Sequence, residues 1–382
     1  MRYRILTFCL VLCFVVFFVL LNRPSEKVQR TNSLAGMVES TGNFSKAEGI
    51  IPFSFPLDHG SHPQFQTEWW YYTGNLKTVD GRPFGYQLTF FRRALTDQPE
   101  IRTSIWAANQ VYMAHFALTD PTGQKFTFLE KLERGVPDLA GAQGQPAYAV
   151  WLHDWEVRQT GADTYHLKAS QDGITIDLEL TNSKGQILQG DQGYSRKGKE
   201  PGNASFYYSQ TRLKTTGVIN IDNKEFPVFG LSWMDHEYST SALGAGVIGW
   251  DWFSIQLDDE TEIMLFTLRK EDGSLDEFSS GTIIEKDGST RRLNVSDFAI
   301  LPVEFWQSPT SGARYPSGWQ VAIPSEEVRL TVQPALKNQE LTGFFTYWEG
   351  SVKISGNKKG NPVSGSGYVE LTGYASSMQG QF

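Results

Sequence analysis

The residues best able to do chemistry lie between Asp235 and Arg269. An acid and an imidazole come first (Asp235-His236), with Tyr238 close behind. A carboxylate then stands between two tryptophans, Trp250-Asp251-Trp252, at the head of an apolar, strand-like run. An aspartate beside a histidine can orient the ring to take a proton from water. An acid in an apolar cavity has its pKa raised and keeps a proton that it can donate. Aromatic faces nearby stabilise a developing carbocation. These are the parts for adding water to an isolated alkene: Asp251 protonates the double bond, Trp250 and Trp252 shelter the cation, and His236, held by Asp235, activates water. Strand alternation limits the scheme, because it sends Asp251 to the face opposite both tryptophans. Either the tryptophans or the acid faces a cavity, unless a bulge intervenes. The bland alternative is that the aromatics fill a barrel and the Asp-His pair staples a strand end.

An earlier stretch repeats the pattern. DHGSHPQFQTEWWYYTGNL (58–76) opens on Asp58-His59 and runs into Trp69, Trp70 and Tyr71. Asp58-His59 answers Asp235-His236, Trp69 answers Trp250, Tyr71 answers Trp252, Tyr72 answers Phe253 and Leu76 answers Leu257. The closing segments correspond loosely as well, Phe206-Tyr207-Tyr208 with Thr346-Tyr347-Trp348. This reads as a duplication in which each half opens on an aromatic strand. Asp58, His59, Trp69, Trp70 and Tyr71 therefore join Trp250 and Trp252 as candidate ligand-binding residues.

Other chemistries find little support. Gly244, Gly246 and Gly249 have the spacing of a dinucleotide loop, but a strand follows where a helix is required. Gly193–Lys199 spells most of a phosphate-binding loop, yet Glu200 stands where the metal-binding hydroxyl belongs. No nucleophile elbow of the GxSxG type occurs. His59 and His62 with Asp58 or Glu68 could supply metal ligands, but no second cluster at ligand spacing accompanies them. No metal and no cofactor are expected. A net charge of −8 without a basic cluster argues against a nucleic-acid partner.

The elements that must position these residues are strands. Aromatics make up 13% of the 382 residues, and 36 Gly and 17 Pro accompany them, which favours β-structure with many turns. Apolar or alternating runs recur between turn signals without long helical patterns, as in barrels and sandwiches. The length suits two consecutive barrels, over 51–232 and 233–382. Segments 135–147 and 189–203 read as loops, 24–50 as a polar linker, and 376–382 as unstructured. At the N-terminus Arg2 and Arg4 precede Ile5–Leu21, apolar except for Thr7. As a helix this run would span roughly 25 Å, the short end of what crosses a bilayer. No small residues follow it at a cleavage distance, so residues 1–23 read as an uncleaved membrane anchor rather than a cleaved signal. Both cysteines, Cys9 and Cys13, lie inside it, which leaves the remainder without disulfides or thiolate chemistry.

At the motifs quoted above the chain resembles the lipocalin-like AttH and carotenoid-hydratase family. The matching pieces are FPLDHGSHPQFQTEWWYYTGNL (55–76), SFYYSQTRL (205–213), WMDHEYS (233–239), GWDWFSIQLDD (249–259), YWEG (347–350) and GSGYVELTGY (365–374). The complete DHGSHP and TEWWYYTGNL blocks place it closer to the AttH-like branch. The resemblance implies an all-β fold of two tandem lipocalin-like barrels, export, and frequent association with an ABC transporter. Some relatives hydrate the terminal double bond of acyclic carotenoids. By position, their implicated histidine, acid and aromatics point to His236, Asp251 and Trp250, with Asp235 and Tyr238 beside them. The resulting expectation is a bacterial periplasmic protein, tethered by its N-terminal helix, that binds a lipid or isoprenoid in an aromatic cavity. The alternatives are an acid-catalysed hydratase or cyclase of an isoprenoid, and a non-catalytic accessory subunit of an ABC transporter.

Overall fold

Ile174–Asn182 shows how the sequence dictates strands here: ITIDLELTN buries every second residue and exposes most of the others. Its entry turn, Asp172-Gly173, has φ of 52° and 78°, the left-handed pair that matches strand twist in a two-residue hairpin. In the computed structural model the described residues are 43–97, 108–240 and 243–379, all within the unit Leu34–Phe382.

The first sheet has 13 strands. They are β1 (Thr67–Lys77), β2 (Pro83–Ala94), β3 (Gln110–Asp120), β4 (Lys125–Arg134), β5 (Ala140–Gln143), β6 (Ala149–Leu152) and β7 (Trp155–Gln159). There follow β8 (Thr164–Gln171), β9 (Ile174–Asn182), β10 (Ile187–Leu188), β11 (Tyr194–Arg196), β12 (Ala204–Ile221) and β13 (Lys224–Ser239). The second sheet has 10 strands. It opens with β14 (Val247–Leu257), β15 (Glu262–Lys270), β16 (Ser280–Ile284), β17 (Thr290–Asn294) and β18 (Ala299–Pro302). A separate hairpin, β19 (Phe305–Gln307) with β20 (Arg314–Pro316), interrupts it. It resumes with β21 (Trp319–Ile323), β22 (Val328–Pro334), β23 (Glu340–Thr342), β24 (Thr346–Lys358) and β25 (Asn361–Leu371).

Both sheets are antiparallel and share one topology. The opening strand lies between the second and the last, so that β1 pairs with β2 and β13, and β14 pairs with β15 and β25. The predicted correspondence of Trp69 with Trp250 and Tyr71 with Trp252 thus joins equivalent positions of equivalent strands. The other half of that alignment fails. Asp58-His59 sits on a short 3-10 turn before β1, whereas Asp235-His236 lies on β13. The histidines of both pairs pack on the first barrel, each reaching the Tyr208 hydroxyl. The boundary read at 232/233 falls inside β13, the first sheet running to Ser239 and the second beginning at Val247.

Each sheet curls into a nearly closed barrel around its own core. Trp70, Tyr72, Leu88 and Trp155 are among the buried residues of the first, and Phe253, Ile255, Trp319 and Val352 of the second. The aromatic run of β1 is buried on both faces. Trp70 and Tyr72 point into the first barrel, while Trp69 and Tyr71 point out and meet Trp252 and Trp250 of the second. The barrels approach so closely that a Cβ on Gly85 would lie 2.5 Å from the Ser351 side chain. Polar contacts tie the seam. Arg212 and Lys184 converge on buried Glu262, Ser351 donates to Asn75 at 2.5 Å, and Thr119 donates to Gln339 at 2.8 Å.

Several segments read as irregular are built in. The Gly/Pro-rich stretch 135–147 contains β5, and the loop 189–203 contains β11. In the linker, Phe44 and Ala47 are buried, and the backbone N–H of Ser45 donates to Gln64. Met378, in the tail read as unstructured, is buried against the cavity described below. Among the described residues no helix is long and apolar enough to cross a membrane. The anchor read over residues 1–23 lies outside the described residues.

Candidate functional site

A cavity of about 100 Å³, partly open to solvent, lies between the barrels. Alternation on the closing strands builds it. The outward residues of β1 (Trp69, Tyr71), β14 (Trp250, Trp252), β12 (Tyr207) and β24 (Tyr347) form its aromatic wall. Tyr71 and Trp252 meet edge to face with centroids 5.2 Å apart. Four carboxylates enter this apolar setting from the same strands: Asp235 and Glu237 from β13, Glu349 from β24 and Glu370 from β25.

The four differ in what holds them. Asp235 accepts from Tyr207 (2.7 Å), Ser209 (2.5 Å) and the Trp233 indole (2.7 Å), yet burial still pushes its pKa up to about 7. Glu237 is paired with Lys197 at 3.0 Å. Glu370 accepts from the Trp250 indole at 2.7 Å, and burial raises it to about 8. Glu349 is 1% exposed and neither of its oxygens has a hydrogen-bond partner. Burial and the neighbouring Glu370 charge push it well above the carboxylate range. The hydroxyls of Tyr71 and Tyr347 stand close enough to soften that shift but outside hydrogen-bonding geometry. The cavity therefore holds a carboxyl whose burial favours the protonated form, facing aromatic rings, with ionisable partners beside it.

The Asp-His pairs are split by the alternation that builds the cavity. Asp235 faces outward, and His236, one residue on, points into the first barrel. There His236 bonds Glu68 through Nε2 (2.8 Å) and Tyr208 through Nδ1 (3.0 Å), with Trp70 stacked on it at 4.9 Å. Asp235 does not hold it. Tyr238 takes the same inward direction and stacks on His62 at 3.7 Å. His59 reaches the same Tyr208 hydroxyl at 2.6 Å, and Asp58 contacts His62 at 3.4 Å. Asp251 faces away from the cavity, as alternation requires once Trp250 and Trp252 line it. It accepts from Arg269 at 2.8 Å and from Tyr374 at 3.0 Å. Of the residues picked from sequence, Trp69, Tyr71, Trp250, Trp252 and Asp235 meet at the cavity. Trp70, His59, Asp58, His236 and Tyr238 gather inside the first barrel.

That inner cluster brings ligand atoms of His62, Glu68 and His236 within 4.8 Å of one another. The donor chemistry favours an ion-pair network over a metal. Arg92 donates to the Glu68 carboxylate at 2.8 Å, its side chain wholly buried with it. The hydrogen bonds and charges of Asp58 and Glu68 outweigh burial and raise His62 to about 9, so its ring carries a proton where a ligand needs a lone pair.

Glu349, Glu370 and Glu237 escaped the sequence reading. Glu349 in Tyr347-Trp348-Glu349 is, like Asp251, a carboxylate inside an aromatic strand. What sequence lacks is the register that turns one acid toward the cavity and the other away.

The comparisons with known proteins agree with this architecture. A solved structure from Nitrosomonas europaea, described as an AttH, is 33% identical, covers 87% of this chain and 100% of its own, and superimposes with a TM-score of 0.77. Kievitone hydratase from Nectria haematococca shares the fold at 16% identity, with a TM-score of 0.64 over 88% of this chain and 97% of its own. Among curated proteins, dehydratase asqC of Emericella nidulans is 21% identical over 219 residues, 54% of this chain and 61% of that relative's length. The model of the AttH-like family matches residues 46–374. The chain belongs to the AttH-like family.

Proposed function

We propose that the protein adds water to, or removes it from, an apolar substrate of lipid or isoprenoid type held in the cavity between the barrels. The observation that carries this reading is Glu349, a buried and unpartnered carboxyl aimed into an aromatic pocket. Burial favours its protonated form, and from that form it donates to an alkene carbon (or, in reverse, to a leaving hydroxyl). The faces of Trp69, Trp250 and Trp252 stabilise the cation, and water adds to it. Asp251, paired with Arg269 on the far side of its strand, has no part in this scheme. That a hydratase and a dehydratase stand among the similar proteins supports the reaction class.

Lycopene supplied to the full chain tests the proposal. A product 18 Da heavier, lost in Glu349→Gln and retained in Asp251→Asn, supports it; loss in Asp251→Asn with retention in Glu349→Gln sinks it. A second reading, binding without turnover, rests on the apolar wall. It predicts an unchanged apolar molecule that co-purifies with the protein and is lost in Trp250→Ala. Tethering in the periplasm and docking on an ABC transporter rest on residues 2–23 and on the resemblance. Protease accessibility of the intact chain in spheroplasts checks the location.

A further inference from the structure

One cavity residue is wired to the outside of the molecule. Tyr347 of β24, in the second barrel, places its hydroxyl 2.8 Å from Nδ1 of His115 on β3, in the first. Nε2 of His115 lies 2.9 Å from Glu130 on β4. The His115 ring is wholly buried, and its remaining ring contacts include the edges of Phe91 and Phe128. Glu130 is a quarter exposed and accepts from the backbone N–H of Phe344 at 2.8 Å. The backbone cradles it so tightly that a Cβ on Gly343 would lie 2.3 Å from its Oε2. Hydrogen bonds from His115 and Phe344 overcome burial and hold Glu130 below the usual carboxylate range. An ionised carboxylate can only accept, so His115 presents Nε2–H to Glu130; with the ring neutral, Nδ1 is left to accept from Tyr347. Carboxylate, imidazole and hydroxyl then stand in the order that activates a hydroxyl oxygen, and the triad exists only where the two barrels meet.

We propose that Tyr347, backed by His115 and Glu130, is the proton-accepting group of the cavity and returns that proton to Glu349. This rests on the reaction proposed above. Glu349 gives its proton to one alkene carbon as the π electrons form the C–H bond. The water oxygen bonds to the other carbon, and its surplus proton passes to the Tyr347 oxygen while the Tyr347 proton moves to His115 Nδ1. The imidazolium is held by Glu130. The proton then travels back through Tyr347 to the Glu349 carboxylate. One water is consumed and no outside acid or base is needed. Tyr347 is the catalytic residue, and His115 and Glu130 are positioning residues.

The test uses the full chain labelled with 15N in histidine and 13C in the glutamate carboxyl, read by NMR without substrate. His115 is expected as the Nε2–H tautomer, its signal identified by His115→Gln. The Nδ1 resonance should respond when Glu349, whose titratable neighbours are Tyr71, Tyr347, Tyr368 and Glu370, is ionised by raising the pH. Tyr347→Phe keeps the ring and should abolish that response. An Nδ1–H tautomer, or a response that survives in Tyr347→Phe, overturns the relay. Glu349 found ionised at pH 7 in the same spectra overturns the hydratase reading instead. With lycopene as the probe, Tyr347→Phe and His115→Gln should each lower kcat by roughly 100-fold with KM unchanged. Gly343→Ala, which displaces Glu130, should shift the pH at which kcat falls. A change confined to KM or thermal stability would mark the triad as a brace.

Discussion

Replacing Glu370 by glutamine should stabilise the protein at neutral pH, and the size of the effect follows from its environment. In the unfolded chain this carboxyl ionises near 4.5; in the cavity burial lifts it to about 8. Between these values the folded state binds a proton that the unfolded state has lost, so stability falls as pH rises. At about 1.4 kcal/mol per pH unit, native Glu370 costs about 3 kcal/mol at pH 7 and about 5 kcal/mol above pH 8. Glutamine cannot ionise, and its oxygen can still accept from Trp250 at the 2.7 Å the acid now makes. Its amide N–H groups find an apolar wall, a penalty of about 1–2 kcal/mol at every pH. The variant should therefore be slightly less stable at pH 4, cross the native curve between about pH 5 and 6, and be about 3 kcal/mol more stable at pH 9. At roughly 2 °C per kcal/mol the last difference is about 6 °C in Tm. Thermal unfolding followed by circular dichroism from pH 4 to 9 reads both curves. Parallel curves would mean that the carboxyl is ionised in the cavity, and the acid chemistry argued for its neighbour Glu349 would lose its electrostatic basis.

Asp251→Asn leaves the Arg269 guanidinium facing a neutral amide in a buried setting and should cost about 3 kcal/mol of stability without loss of turnover, measured by urea unfolding alongside the lycopene assay. His62→Gln removes an imidazole whose folded pKa is about 9; the associated stabilisation is full below pH 6.5 and gone above pH 9, so the variant should lose about 3 kcal/mol at pH 6 and progressively less as pH rises. Gly85→Ala drives a methyl group into Ser351 across the seam, which should cost about 1–3 kcal/mol and lower the midpoint of urea unfolding.

Much of this molecule was legible in its sequence. Turn residues such as Asp172-Gly173 and the alternation of ITIDLELTN are local signals, because strand period and left-handed turns are enforced by backbone sterics within a few residues. The likeness of the β1 run to the β14 run reported equivalent strands for the same reason: both must bury aromatics on two faces. Alternation alone stated that Asp251 and its flanking tryptophans could not share a wall.

Which of them faces the cavity was settled only by tertiary structure, since the choice depends on what packs against each face. The same holds for Asp235 and His236. They are adjacent in sequence and on opposite sides of a strand, so one meets the second barrel and the other meets Glu68 from 168 residues away. Glu349 is raised above the carboxylate range because the fold buries it at the seam beside Glu370, where neither of its oxygens has a hydrogen-bond partner. The Glu130–His115–Tyr347 line spans 232 residues between its histidine and its tyrosine. Sequence determined the strands and their two faces; the docking of one barrel on the other decided which face is a site, because burial and partners, not residue type, set where a proton resides.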